Sequence, residues 1–196
     1  MNRNTVYEIS KTSPREVEIL HMRPEGSTAP KTLAWVQYLP GKGMDVTMRC
    51  YEQKPRAIWH NPNNDIYTDS CMEFFFSPEG EDRYLNVELN PNGCSFIGIG
   101  TGRADRVRIT LEQEAEVLQA RTARTPDGWE LTYRLPLTFL RVLYPALSLT
   151  PGTVLRANCY KCGDLTLEPH YLSWNPVTSA KPDFHRPCDF GRMVLG

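Results

Sequence analysis

The segment from residue 84 to residue 90 carries side chains well suited to holding a polar ligand. Apolar residues alternate there with polar or aromatic ones, in the order Tyr84, Leu85, Asn86, Val87, Glu88, Leu89 and Asn90. Because successive side chains of a strand point to opposite faces, this order predicts a strand with one apolar face and one hydrogen-bonding face. Amides and carboxylates form directional hydrogen bonds, and Asn both donates and accepts. The pattern therefore favours a ligand rich in hydroxyl groups, such as a sugar.

Two other predicted strands carry similar polar groups. Glu73 lies within the largely apolar segment from Ser70 to Phe76, and Arg156, Asn158 and Tyr160 alternate with apolar residues. A carboxylate on such a strand is rarely buried without partners. If these strands are neighbours of the 84–90 strand, their polar rows merge into one surface.

Short strands separated by turn residues dominate the rest of the chain. The predicted strands are Leu33–Leu39, Val46–Tyr51, Ser70–Phe76, Tyr84–Asn90, Ser95–Ile99, Val107–Leu111, Glu116–Ala123, Trp129–Leu135, Val154–Lys161, Tyr171–Trp174 and Arg192–Leu195. One short helix is predicted from Leu137 to Leu143, after Pro136 and before Pro145. Regularly spaced strands with almost no helix predict an all-β antiparallel sandwich, and the 196 residues fit a single domain, residues 1–196.

Composition bears on several classes of partner. The net charge of −1 gives no electrostatic reason to expect nucleic acid or an anionic membrane surface. No apolar run approaches the roughly 20 residues that span a bilayer. The first eight residues lack the apolar segment of a signal peptide, so the sequence as written predicts a cytoplasmic protein, or a secreted one if a leader was trimmed. The oligomeric state stays open.

Metal and redox chemistry are not predicted. The six cysteines are expected to be free, partly buried thiols, and the one CxxC pair, Cys159 and Cys162, has no second pair to complete a zinc ribbon. The four histidines lack ligand spacing, although His60 and His185 are expected near the rim of the ligand site. The segment from Asn61 to Asp65 supplies oxygens for calcium, but such clusters are typical of turns.

An ordered set of motifs resembles carbohydrate-binding module family 9. The set comprises Tyr67-x-Asp69-Ser70-Cys71-Met72-Glu73-Phe74-Phe75, Tyr84-x-Asn86-x-Glu88-x-Asn90-x-x-Gly93, Gly128-Trp129-Glu130, Arg156-x-Asn158, Trp174-Asn175-Pro176 and Pro182-x-Phe184-His185-x-Pro187-x-x-Phe190-Gly191. The match runs from about residue 30 to the carboxyl end. The resemblance implies a jelly-roll-like sandwich that binds sugar without chemistry of its own, commonly beside a glycoside hydrolase. It also implies structural calcium in some members, so no cofactor is predicted except such an ion.

The resemblance also implies roles for individual residues. In that family two aromatic rings sandwich a terminal sugar. Trp174 matches the second ring, and the place of the first holds Tyr67, with Trp59 a short distance upstream as the alternative. Glu73 matches a sugar-binding glutamate, and Asn86 and Glu88 occupy the region where the family has an arginine. Together with the strand pattern, this predicts a set of ligand-binding residues: Tyr67, Glu73, Tyr84, Asn86, Glu88, Arg156, Asn158, Trp174 and Asn175.

Two alternatives to a sugar-binding module remain. Glu73 and Glu88 could be the paired carboxylates of a glycoside-active enzyme, because neighbouring strands can place two carboxyl groups at the required spacing. Alternatively, the domain could have kept the fold, lost the sugar and become a protein-interaction domain. A polar face covered by the protein's own loops or by a second subunit would favour that alternative.

Overall fold

The structure, a computed structural model, describes residues 6–21 and 28–196. Within them the helices are α1 (Glu114–Val117) and α2 (Leu137–Leu143). The strands are β1 (Val6–Ile9), β2 (Val17–Glu18), β3 (Thr32–Leu39), β4 (Gly43–Cys50), β5 (Cys71–Pro78), β6 (Tyr84–Leu89), β7 (Ser95–Gly100), β8 (Val107–Arg108), β9 (Arg121–Thr125), β10 (Gly128–Pro136), β11 (Val154–Gly163), β12 (His170–Ser173) and β13 (Gly191–Leu195). Short 3-10 turns occupy Ile66–Thr68 and Pro187–Asp189.

The strands form two packed sheets. The larger sheet has the order β1-β13-β11-β5-β6-β7-β8, with β12 also paired to β11, and the smaller has the order β2-β3-β4-β10-β9. Pairing is antiparallel except between β1 and β13. The predicted all-β sandwich is confirmed.

Alternation in the sequence accounts for the core between the sheets. In β4, Met44, Val46 and Met48 are fully buried, whereas Asp45 and Thr47 between them are partly exposed. Burying one such side chain stabilises the fold by about 1.5–3 kcal/mol. The apolar faces of both sheets therefore close onto each other.

The opposite face of the larger sheet is also covered. Phe75, Tyr84 and Tyr160 rise from β5, β6 and β11, and they pack with Phe184 and Phe190 in a second buried cluster. Phe184 and Phe190 belong to the segment of residues 176–190, called here the covering segment. It arches over the polar rows of the sheet and determines how much of them a ligand can reach.

Most predicted elements are confirmed, and α2 has the predicted bounds. The predicted strand Glu116–Ala123 is partly wrong: α1 ends at Val117, and β9 begins at Arg121. Strands β1 and β2 were not predicted, because each is short and pairs with a partner distant in sequence.

The cysteines and helices agree with the sequence analysis. All six cysteines, which lie in described residues, are free; Cys188 is exposed and the other five are buried. Within the described residues, neither helix has the length and apolar character needed to cross a membrane.

Candidate functional site

The three polar rows predicted from the sequence are neighbours in the larger sheet. Strands β11, β5 and β6 are adjacent, and their register places Tyr160 opposite Glu73 and Glu73 opposite Glu88. The hypothesis that the rows merge is therefore confirmed. Glu73 and Glu88 lie side by side in the middle of the surface.

A cavity of about 510 Å³ opens above these two carboxyl groups. Its floor comes from the sheet, and its walls come from the 3-10 turn at Ile66–Thr68, the loop before β8, the loop after β11 and the covering segment. The lining residues are Tyr67, Glu73, Glu88, Arg103, Arg106, Cys162, Asp164, Tyr171, Lys181, Pro182, Phe184 and His185. Carboxyl groups, cations and aromatic rings thus converge on one space.

Glu88 is buried, but it has charged and polar partners. Its Oε1 accepts hydrogen bonds from Asn86 Nδ2 at 2.9 Å and from Arg106 Nη1 at 3.2 Å. Burial raises the pKa of Glu88 to about 7, and the guanidinium of Arg106 opposes that rise. Asn86 lies beneath the cavity rather than in its lining, so its visible role is to orient the Glu88 carboxyl group.

Glu73 has a different environment. It is 3% exposed, and its Oε1 accepts a hydrogen bond from the thiol of Cys162 at 3.0 Å. Burial, and next the neighbouring Glu88, raise the pKa of Glu73 well above its usual range. The floor of the cavity therefore favours a protonated carboxyl group at Glu73 when nothing else is bound.

His185 connects the covering segment to the floor. Its Nδ1 lies 2.7 Å from Tyr84 Oη, and its Nε2 lies 3.2 Å from Arg106 Nη1. Burial, followed by Arg106 and Arg103, lowers the pKa of His185 to about 3, so the ring is neutral. Since a guanidinium only donates, Nε2 accepts from Arg106 and the proton of the ring lies on Nδ1, facing Tyr84. Tyr84 does not line the cavity itself but contacts His185. His185 lies in the cavity wall, as the sequence analysis expected.

Aromatic rings form the apolar part of the wall. Tyr67 is 44% exposed, Tyr171 is partly exposed, and Phe184 is buried against Tyr160 with ring centroids 4.1 Å apart. Tyr67 and Tyr171 therefore have ring surface available to a ligand. Tyr67 lies where the sequence analysis expected an aromatic wall.

Trp174 lies elsewhere, and the sequence analysis misplaced it. The ring is 6% exposed, belongs to the core between the sheets, and meets Tyr7 edge-to-face with centroids 6.0 Å apart. A Cβ atom on Gly191 would come within 2.9 Å of the ring, so β13 leaves space for it by having glycine there. The small part of Trp174 that reaches the surface borders a different cavity, lined by Val6, Tyr7, residues 15–18, Leu20 and His21.

Three further predicted residues also lie outside the cavity lining. Asn158 Oδ1 accepts from the backbone N–H of Asn175 at 2.8 Å, and Asn158 Nδ2 donates to the Asn175 carbonyl at 3.0 Å. Asn175 in turn donates to the Asp189 carbonyl at 2.8 Å. Arg156 donates to Ser77 Oγ and the Glu81 carbonyl. In the structure these side chains anchor backbone segments, Asn158 and Asn175 at the base of the covering segment.

Sequence reasoning missed several lining residues. Arg103, Arg106 and Asp164 lie in loops, and Lys181 lies in the covering segment, so no strand periodicity marks them. Arg106 supplies a guanidinium next to β6 although it comes from the loop before β8. The available signal was Glu88 itself. A carboxylate on a buried strand usually has a charged partner, so a cation near Glu88 was to be expected.

The segment from Asn61 to Asp65 gives little support for calcium. Asn63 Oδ1 is buried and lacks a hydrogen-bond partner among the described residues, but the Arg108 guanidinium donates to the Asn63 carbonyl at 2.7 Å. One free oxygen beside a cation does not fit an ion that takes six to eight oxygens. Structural calcium stays a prediction from the resemblance.

Comparison with known proteins identifies the family. The model of carbohydrate-binding family 9 matches residues 40–195. The chain belongs to this family. Among curated proteins, a human relative named UPF0462 protein C4orf33 is 26% identical over 153 residues, which cover 74% of this chain and 69% of the relative.

Solved structures share the fold of this family 9 chain. A candidate carbohydrate-binding protein from Bacteroides uniformis has a TM-score of 0.82 at 23% identity, with 97% of both chains covered. A family 9 module from Caldicellulosiruptor kristjanssonii in complex with glucose has a TM-score of 0.66 at 14% identity, covering 98% of this chain and 96% of that one. The complex with cellotriose has a TM-score of 0.62 at 13% identity, covering 97% and 93%.

Proposed function

We propose that the cavity above Glu73 and Glu88 binds a sugar or short oligosaccharide without chemical conversion. The observation that carries this proposal is the convergence of Glu88, Asp164, Arg103 and Lys181 with the accessible ring surfaces of Tyr67 and Tyr171 on one space. Carboxyl groups accept hydrogen bonds from sugar hydroxyls, and cations donate to their oxygens. An aromatic face packs against the C–H face of a pyranose.

Membership of family 9 and the ligands of the two Caldicellulosiruptor complexes support this choice of ligand. Those proteins bind glucose and cellotriose, so gluco-configured sugars are the first probes for this cavity. We expect dissociation constants of roughly 10 µM to 1 mM, because few groups converge and a hydrated sugar loses much water on binding. We further propose that the domain serves glycan breakdown by holding a sugar near a partner enzyme.

Hydrolysis is the second candidate, because burial raises the pKa of Glu88 to about 7, a value suited to a general acid. The geometry favours binding instead. A glycosidase places its carboxyl groups on two sides of the scissile bond. Glu73 and Glu88 are opposite residues of paired strands, so both rise from one floor. Turnover of an oligosaccharide that Glu88→Gln abolishes would reverse this choice.

The third candidate is a protein-interaction domain that does not bind sugar, and the observation in its favour is the position of the covering segment. That segment buries much of the polar face, including Tyr84 and Asn86. The remaining opening of about 510 Å³ is within the range of cavities that hold small ligands. Binding to a monosaccharide or trisaccharide is therefore favoured over complete loss of the site.

Calorimetric titration with glucose, cellotriose and other sugars tests the proposal. We expect saturable heat that weakens at least about 10-fold in Tyr67→Ala and in Glu88→Gln, since each variant removes one expected contact. Tyr51→Ala is the matched control, because Tyr51 is 36% exposed and lies outside this cavity. Saturable heat that both cavity variants leave unchanged would place the sugar elsewhere.

A further inference from the structure

The floor of the cavity contains a cluster of potential metal ligands. Cys71 of β5 and Cys162 of β11 are opposite residues in paired strands, and Glu73 follows two positions after Cys71 on the same face. One ligand atom from each side chain lies within 4.8 Å of the other two, and all three residues are buried. Register brings these groups together, although Cys162 is distant from the other two in sequence.

Glu73 forms no direct ion pair among the described residues, and the guanidinium of Arg106 only partly opposes the rise in its pKa. Among the described residues, Cys162 is the hydrogen-bond donor to its carboxyl group, and no cation forms an ion pair with it. By contrast, Arg106 pairs with Glu88, and Lys161 pairs with Glu52. Isolated burial of an ionised carboxylate is costly. Glu73 must therefore hold a proton or meet a cation that enters through the cavity.

The two thiols are also protonated in the absence of a cation. Burial raises the pKa of Cys71 to about 12. The pKa of Cys162 is raised well above its usual range, first by the hydrogen bond with Cys71 and next by burial. A bound metal ion reverses this balance, because a coordinating thiol loses its proton.

We propose that Cys71, Cys162 and Glu73 bind a thiophilic divalent cation, zinc being the best fit, with a fourth coordination position facing the cavity. Two sulfurs and one carboxylate oxygen suit zinc, which takes four tetrahedral ligands, and do not suit magnesium or calcium. Cys162 and Glu73 line the cavity, which provides the entry path. A water molecule completes the coordination in the absence of another ligand.

Proton and charge balance follow from this ligand set. Binding of one zinc ion displaces the two thiol protons, together with the Glu73 proton wherever that carboxyl group is protonated, and the complex of Zn²⁺ with two thiolates and one carboxylate has a net charge of −1. Arg103 and Arg106 in the cavity wall offset that charge. The proposal does not depend on sugar binding, and its test uses no sugar.

Cobalt titration of the reduced, full-length protein tests the site. We expect one Co²⁺ per chain, with thiolate-to-cobalt charge-transfer absorption and the visible bands of tetrahedral cobalt, both removed by added zinc. Cys71→Ser and Cys162→Ser should lose the charge-transfer absorption. Cys188→Ser should retain it, because Cys188 is exposed and outside the cluster. Absence of thiolate bands in the unsubstituted protein, or bands that survive both substitutions in the cluster, would overturn the proposal.

A second measurement needs no variant, so misfolding does not affect it. Zinc titration in buffers of different ionisation enthalpy gives the number of protons released per ion. We expect at least two near pH 7, from the two thiols, because a coordinating thiol loses its proton. Release of no protons, as expected for zinc held by exposed carboxylates, would also overturn the proposal.

Discussion

Arg106 contacts two residues of the cavity lining and a neighbouring aromatic ring through one guanidinium group. Its Nη1 lies 3.2 Å from Glu88 Oε1 and 3.2 Å from His185 Nε2, and its Cζ lies 4.7 Å from the ring centroid of Phe96. The side chain is 18% exposed, so water screens these contacts only in part. Loss of this group would leave Glu88 buried without its cation.

We therefore expect Arg106→Ala to destabilise the protein by about 2 kcal/mol or more, because removing one member of a buried pair leaves an uncompensated charge. Urea denaturation followed by tryptophan fluorescence measures the change. Arg103→Ala is the matched control, with an expected change below about 0.5 kcal/mol, since its pair with Asp183 is largely exposed. Equal destabilisation by the two substitutions would contradict this role for Arg106.

The placement of a single residue could be predicted where the alternation along a strand decides which face of the sheet its side chain lies on. The strand pattern placed Glu73 and Glu88 on the same face, and both line the cavity. Trp174 was misplaced because its direction depends on Gly191 of β13, which leaves space for the ring. Arg106 could not be placed, because a loop residue reaches Glu88 only after β7 and β8 have paired.

Glycine at position 100 lets the loop that carries Arg106 approach the end of β7. A Cβ atom at Gly100 would lie 2.8 Å from the Cα of Arg106 and 3.0 Å from its backbone nitrogen. Backbone atoms cannot rotate away as a flexible side chain can, so the loop itself must move. The position of Arg106 therefore depends on this glycine.

Gly100→Ala should destabilise the fold by about 1–3 kcal/mol, the usual cost of overpacking, and should weaken sugar binding because Arg106 moves from Glu88. Denaturation and calorimetry measure the two effects. Gly102→Ala is the control in the same loop, because its Cβ would meet only Asp105 Oδ1 at 3.6 Å. Unchanged stability and binding in Gly100→Ala would show that the loop does not rely on this contact.

Helix α1 buries a carboxyl group that prefers its proton. Glu114 is 7% exposed, its Oε1 lacks a hydrogen-bond partner among the described residues, and burial raises its pKa to about 7. Because the pKa of Glu114 in the folded state lies above its ordinary value of 4.5, protonation of Glu114 stabilises the folded state. This stabilisation is fully present below about pH 4.5. It is lost as the pH rises through about 7.

Glu114→Gln should remove this loss of stability at high pH, because the amide of glutamine does not ionise. We expect the variant to be more stable by about 1–3 kcal/mol at about pH 8 and nearly unchanged at about pH 4. Denaturation across this range provides the measurement, and Glu116→Gln on the exposed side of α1 is the control, expected to leave the curve unchanged. A variant curve parallel to that of the unsubstituted protein would contradict the account of Glu114.

Helices and strands could be predicted where the local sequence pattern agrees with the turn residues at its ends. Proline bounds α2 on both sides, and alternation defines most strands. The interval from Glu114 to Thr125 was partly misread, because one short helix and one strand share it and neither is long enough to show its period. Strands β1 and β2 depend on partners at positions 192–195 and 33–34.

At the scale of the whole molecule, one sheet carries both the core and the cavity. One face of the larger sheet packs against the smaller sheet, while the other lies under the covering segment. The alternating pattern in the sequence indicated strands with one apolar and one polar face. It did not indicate the order β11-β5-β6, which depends on pairing between strands that are distant in sequence. Nor could it indicate how far the covering segment closes over the polar rows.

A crystal structure with cellotriose at saturating concentration tests the central claim most directly. We predict a sugar ring in the cavity, with its hydroxyls bonded to Glu88 or Asp164 and one face against Tyr67 or Tyr171. A sugar bound beside Trp174, or elsewhere with this cavity empty, would contradict the account.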